Sequence, residues 1–193
     1  IGVSLYPDDA GDAVTLLKQA DSAMYHAKHG GGDALAFFGE VFDEGAARRQ
    51  TLEAALHKAV ERGELRLHYQ PLVDMRSGAV VGVEALLRWH HGDEGLLVPP
   101  AEFIPIAERN GLIVPIGRWV MQEACRQVAA WRGAGRELYV AINLSPRQFL
   151  SGTLTEDLTA ALDAARLPTA AVELEITEGA TLRDPRQSMR LLH

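Results

Sequence analysis

Three stretches of this chain carry a polar residue near their ends where the surrounding pattern calls for an apolar one. They are Glu84 in Val83-Glu-Ala-Leu86, Asn143 in Ala141-Ile-Asn-Leu-Ser145, and Glu175 in Glu173-Leu-Glu-Ile-Thr-Glu178. Each stretch reads as a β-strand. In α/β barrels the active site is assembled at the C-terminal ends of the strands, so residues distant in sequence can converge there. Two carboxylates and an amide oxygen make a hard, all-oxygen donor set, which favours Mg²⁺ or Mn²⁺ over zinc. A glutamate near a strand end also serves as a solvated residue or a salt-bridge partner, and spacing alone leaves both readings open. His90 and His91 suggest a metal pair, but adjacent side chains diverge and Gly92-Asp93 follows, so they read as a solvated loop.

The elements that must position these residues emerge from hydrophobic periodicity. After Gly63 the pattern alternates as a strand over 65–73, turns around Arg76-Ser-Gly78, and alternates again over 80–89. A helix is predicted over 112–131, with Ile113, Ile116, Val120, Ala124, Val128 and Trp131 turned inward. A strand over 138–144, a helix near 154–166, a strand over 172–177 and the start of a helix after Asp184 continue the alternation. Strands separated by helices of this length predict βαβ units and a parallel sheet, open or closed, although four strands are too few to close a barrel.

Upstream, residues 1–6 read as a strand and 7–11 as a turn. A helix then carries Ala13, Leu16, Leu17, Ala20, Met24 and Ala27, with Asp12 as its cap and Gly30-Gly-Gly32 as its stop. The glycine run comes after a helix and lacks the Lys-Ser/Thr of a phosphate loop, so it carries no nucleotide-binding reading. A short strand at 34–38 precedes a charged helix, about 43–62, whose narrow stripe of Leu52, Ala55, Leu56, Ala59 and Val60 reads as a linker.

A net charge of −7 over 193 residues argues against a polymeric nucleic acid as partner, since that binding needs a basic surface. A small phosphate ligand needs only a few local arginines. The one cysteine, Cys125, excludes an internal disulfide and falls in a helical pattern, which reads as a buried structural thiol in a reducing cytoplasm. No apolar run approaches the roughly 18 residues of a membrane span, and no charged-then-apolar leader opens the chain. Both ends read as cut, Ile1 inside a strand and residues 188–193 inside an unfinished helix.

Taken in order, Tyr69-Gln-Pro-Leu-Val73, Gly82-Val-Glu-Ala-Leu-Leu-Arg-Trp89, Pro99-Pro-Ala-Glu-Phe-Ile-Pro-Ile-Ala-Glu108, Ile142-Asn-Leu-Ser-Pro-Arg-Gln-Phe149 and Glu173-Leu-Glu-Ile-Thr-Glu178 closely resemble the EAL family. Ile1-Gly-Val-Ser4 and Ala20-Asp-Ser-Ala-Met-Tyr-His-Ala-Lys28 resemble the end of a GGDEF domain. That second likeness breaks at 29–34, where an Arg-Asn pair is usual and Gly30-Gly-Gly-Asp33 stands instead.

The resemblance implies an α/β fold: a partial TIM-like (β/α) barrel of the EAL type over 65–193, preceded by a GGDEF tail over 1–42 and a linking helix over 43–64. It implies a phosphodiesterase that hydrolyses cyclic di-GMP to linear pGpG with Mg²⁺ or Mn²⁺ and an activated water. Carried over by position, Glu84, Asn143 and Glu175 are the metal ligands, Arg88 holds a ligand phosphate, and Gln70 lies by the nucleotide. Glu178 holds a neighbouring active-site loop. The remaining groups, an Asp-Asp pair and a lysine among them, are expected beyond His193. A homodimer through the EAL domain is a further expectation, and any membrane anchor would lie upstream. Two alternatives stand beside the hydrolase: a receptor that binds cyclic di-GMP without cleaving it, and a parent protein that is also a diguanylate cyclase.

Overall fold

The computed structural model describes residues 1–29, 34–92 and 95–176, with side chains throughout except at 26, 29 and 40–47. The glycine stop at 30–32, the helix expected after Asp184, and Glu178 lie outside these residues. The chain divides into two compact units, Ile1–Leu52 and Glu53–His193.

In the first unit, strand β1 (Gly2–Val3) pairs in parallel with β2 (Ala36–Phe37), and α1 (Ala13–His29) connects them. The strands expected at 1–6 and 34–38 shrink to these two-residue bridges. Asp12 caps α1 as expected, accepting from the Thr15 amide at 2.9 Å and the Thr15 hydroxyl at 2.6 Å. β1 lies flush on the helix because Gly2 has no side chain: a Cβ there would stand 1.9 Å from the Ala20 carbonyl oxygen. The expected linking helix starts directly after β2, as α2 (Phe38–Ala59).

In the second unit, β3 (Leu65–Val73) and β4 (Val80–His91) form an antiparallel hairpin. The Asp74 carboxylate closes its turn, accepting from the Ser77 amide at 2.8 Å and the Ser77 hydroxyl at 2.7 Å, and Gly78 comes next at φ 71°. The chain continues through β5 (Leu96–Val98), α3 (Pro100–Asn110), α4 (Ile113–Gly133), β6 (Tyr139–Leu144), the short α5 (Pro146–Phe149), α6 (Leu154–Ala165), a 3₁₀ turn at Thr169–Ala171 and β7 (Val172–Ile176). The sheet order is β3-β4-β6-β7, with β5 also on β4. The β4, β6 and β7 strands run parallel, as the βαβ pattern predicts, while the hairpin and β5 make the sheet mixed.

The structure corrects one expectation and adds one helix that the sequence pattern does not predict. His90 and His91 are not loop residues: β4 runs through them because β5 pairs with its end, His90 opposite Leu97 and His91 opposite Leu96. Both rings are half-buried, with His91 Nδ1 3.3 Å from Glu64 Oε2 and His90 Nδ1 3.3 Å from the Gly95 carbonyl oxygen. The segment after Val98 also contains a full helix, α3. Proline fits its first turn, where the N–H has no helical acceptor, and Gly111 ends it at φ 85°.

The core lies between the sheet and helices α3 and α4. Ile113, Ile116, Val120, Ala124 and Val128 of α4 are buried as the spacing predicts, while Trp131 is half-buried. The fully buried Trp89 meets Phe103 of α3 edge-on at 5.6 Å. Cys125 is buried in α4, and burial pushes its thiol up to about 11, which keeps it protonated and unreactive. Among the described residues no helix is long and apolar enough to cross a membrane.

Candidate active site

Side chains alternate across a strand, so register decides which residues share a face. Gln70 pairs with Glu84, Glu84 with Ala141, and Asn143 with Glu175. Gln70, Glu84, Asn143 and Glu175 therefore stand on one face of the sheet, drawn from four strands. Arg88, four residues after Glu84 on β4, shares that face. The opposite face, through Val83, Ala85, Trp89, Val140 and Ile142, is buried.

Two of the residues singled out by spacing meet. Asn143 Nδ2 donates to Glu84 Oε1 at 2.7 Å, although 59 residues separate them. The strand pairing sets Glu175 beside Asn143 on the next strand. Glu84 is half-buried, and Asn143 and Glu175 are exposed, so the cluster is open to a ligand. Gly82 shapes the same face one pleat earlier: a Cβ there would stand 2.6 Å from the Tyr139 ring opposite it. Arg88 is half-buried and donates from Nη1 to the Leu87 carbonyl at 2.9 Å.

The donor chemistry suits a hard divalent cation. Two carboxylates and an amide oxygen on neighbouring strands are donors of the kind such a cation takes, while among the described residues no group of three or more His, Cys, Asp or Glu stands together as a metal site. A cleft of about 360 Å³ opens beside Asn143, with Arg88, Glu108 and Ser145 at its polar rim and Ile104 and Ile116 on its apolar wall. Glu108 and Ser145 were not singled out by the sequence. The pattern Ser145-Pro-Arg-Gln148 is a capping box, a local signal that marks the corner after β6; nothing local marks Glu108.

The arrangement is that of an α/β domain with an oxygen-donor site built on adjacent parallel strands. Residues 53–193 match the EAL domain family, and the chain belongs to it. It is 42% identical over 193 residues to the bifunctional diguanylate cyclase/cyclic di-GMP phosphodiesterase MucR of Pseudomonas aeruginosa, covering 100% of this chain and 28% of that protein. It is 36% identical over 192 residues to the cyclic di-GMP phosphodiesterase PdeR of Escherichia coli K12, covering 100% of this chain and 29% of PdeR. Among solved structures, that of the PaMucR phosphodiesterase in complex with c-di-GMP superposes with a TM-score of 0.70 at 43% identity, covering 74% of this chain and 57% of that one. The chain thus spans between a quarter and a third of the length of these curated relatives.

Proposed function

We propose that residues 53–193 form part of a cyclic di-GMP phosphodiesterase centre, hydrolysing the cyclic dinucleotide to linear pGpG. The observation that carries this reading is the convergence of Glu84, Asn143 and Glu175 through the 2.7 Å Asn143–Glu84 hydrogen bond and the Asn143–Glu175 register. These three hold Mg²⁺ or Mn²⁺. When bound, such a cation lowers the pKa of an attacking water and stabilises charge on the departing oxygen. Arg88 holds a phosphate of the ligand, a task suited to its planar fork of donors, and Gln70 sits beside the nucleotide. Glu178 holds an adjoining loop.

The second unit is read as part of a TIM-like barrel of the EAL type, and the first as the tail of a GGDEF domain, a reading supported by the motifs at 1–4 and 20–28. For the whole protein, a cytoplasmic setting and dimerisation through the EAL domain complete the reading; the buried, unpaired Cys125 suits a reducing compartment.

The test is to incubate the full-length protein with cyclic di-GMP in Mg²⁺ or Mn²⁺ and to resolve pGpG by chromatography. Turnover should vanish in EDTA and return with added metal. Turnover indifferent to EDTA, or none under any metal, overturns the reading.

A further inference from the structure

We infer that Glu108, at the end of α3, is a positioning residue for Asn143: through its hydrogen bond to Ser145 it fixes the corner after β6 and so the reach of Asn143 to Glu84. This rests on the proposed metal site. The pairing of β6 with β4 ends at Ile142 opposite Ala85, so on the Glu84 side Asn143 lies beyond the last paired residue. On the other side β6 stays paired with β7 through Asn143–Glu175 and Leu144–Ile176, so toward Glu84 the hold on Asn143 comes from the corner at Ser145–Gln148.

That corner is fastened to both neighbouring helices. Ser145 donates its one hydroxyl proton to Glu108 Oε1 at 2.7 Å, while the same oxygen accepts from the Arg147 amide at 3.2 Å. Gln148 Oε1 accepts from the Ser145 amide at 3.2 Å, completing a capping box around Pro146. The Gln148 side chain is 6% exposed and lies on Gly117 of α4, where a Cβ would come within 1.6 Å of its Nε2. The Arg147 guanidinium donates to the Glu108 carbonyl and, at 2.9 Å, to the Arg109 carbonyl. Those carbonyls belong to the last turn of α3, which has no helical donors of its own to offer them.

The anchor is itself rigid. Phe103, Ile106 and Ala107 are buried, so the turn that carries Glu108 is held against the core. Cutting the Glu108–Ser145 bond removes one of the corner's fastenings and loosens the hold of Asn143 on Glu84. Groups hydrogen-bonded directly to a metal ligand typically cost 10- to 100-fold in metal affinity or activity when removed, and Glu108, acting one residue further out through Ser145, belongs at the lower end of that range.

The experiment titrates Mn²⁺ calorimetrically into metal-free full-length protein and records thermal unfolding without metal. Glu108→Ala is expected to weaken Mn²⁺ by up to about tenfold. Glu108→Gln should stay near wild type, because its amide oxygen still accepts from Ser145. Arg147→Met, on the exposed side of the corner, should weaken Mn²⁺ in the same direction and keeps the test open if Glu108→Ala does not fold. A wild type that binds Mn²⁺ while a folded Glu108→Ala, or Arg147→Met where Glu108→Ala does not fold, binds it equally well overturns the positioning role, whatever the melting temperatures. Equal losses in Glu108→Gln and Glu108→Ala overturn it too, by assigning the effect to charge. A wild type that binds no Mn²⁺ overturns the metal site and this inference with it.

Discussion

The two faces of the β3-β4-β6-β7 sheet are built from the same strands, and alternate residues belong to opposite tasks. On β4, Val83, Ala85 and Trp89 are buried against the helices, while Glu84 and Arg88, between them, are only half-buried and face the candidate site. The buried face holds the strands in register by excluding water, and the register then sets which polar groups meet on the other face. Stability and chemistry are thus separable here by a single residue step.

The largest expected effect is on the site face. On the proposed reading Glu84→Ala removes a charged donor from a cation whose contribution to such reactions is several kcal/mol, so cyclic di-GMP turnover by the full-length protein should fall on the order of a thousandfold. Because Glu84 is half-exposed, the metal-free melting temperature should barely move. A variant that melts as early as a core mutant would show that the two faces are not independent.

Trp89→Ala probes the other face. Trp89 is fully buried, packs on Phe103, and donates its indole N–H to Glu64 Oε2 at 2.8 Å. Its truncation should cost about 3 to 5 kcal/mol in denaturant unfolding. A loss under about 1 kcal/mol would mean that the sheet does not depend on this face for its register.

The same division explains what could be read in the sequence. Helix α4 and the long strands announce themselves because burial on one side leaves a period of 3.6 or 2, and Glu84, Asn143 and Glu175 stand out as breaks in that period. The end of β4 did not, because His90-His91-Gly92 looks like a loop until β5 pairs with it and Glu64, 27 residues upstream of His91, supplies a side-chain partner. Helix α3 is hidden by Pro99, Pro100 and Pro105. Glu108 is silent for the same reason as Glu64: its partner Ser145 is 37 residues away, and only the folded chain brings them together.

Glu64 gives a smaller, pH-dependent effect at the margin of the buried face. Burial alone would raise its carboxyl, but hydrogen bonds from Trp89 and His91 and the charges of His91 and Arg62 outweigh burial, and the group lies below its ordinary value of 4.5. A depressed folded-state pKa contributes stability that is present above the unfolded value and lost as pH falls through the folded one. Wild type should therefore lose stability below about pH 4.5 more steeply than Glu64→Gln, which at neutral pH should be less stable by about 1 kcal/mol. Acid unfolding curves of the two proteins that run parallel would remove Glu64 from the account.

The smallest effect comes from a polar atom on the wrong face. Tyr69 pairs with Ala85, which turns it toward the helices, and its ring meets Trp131 of α4 edge-on at 4.9 Å. Its hydroxyl is buried with no hydrogen-bond partner among the described residues, and burial, followed by the nearby Glu123 charge, pushes its pKa above the usual tyrosine range. A buried hydroxyl without a partner is a cost of about 1 to 3 kcal/mol that no interaction offsets. Tyr69→Phe keeps the ring and the Trp131 contact and removes only that cost. It should melt at or a few degrees above wild type, since about 1 kcal/mol moves a domain of this size by roughly 2 to 4 °C. The change faces away from Glu84, so turnover should be untouched. A lower melting temperature would mean that the hydroxyl is bonded in solution and that the helix-facing side of the sheet is less purely apolar than its other members make it.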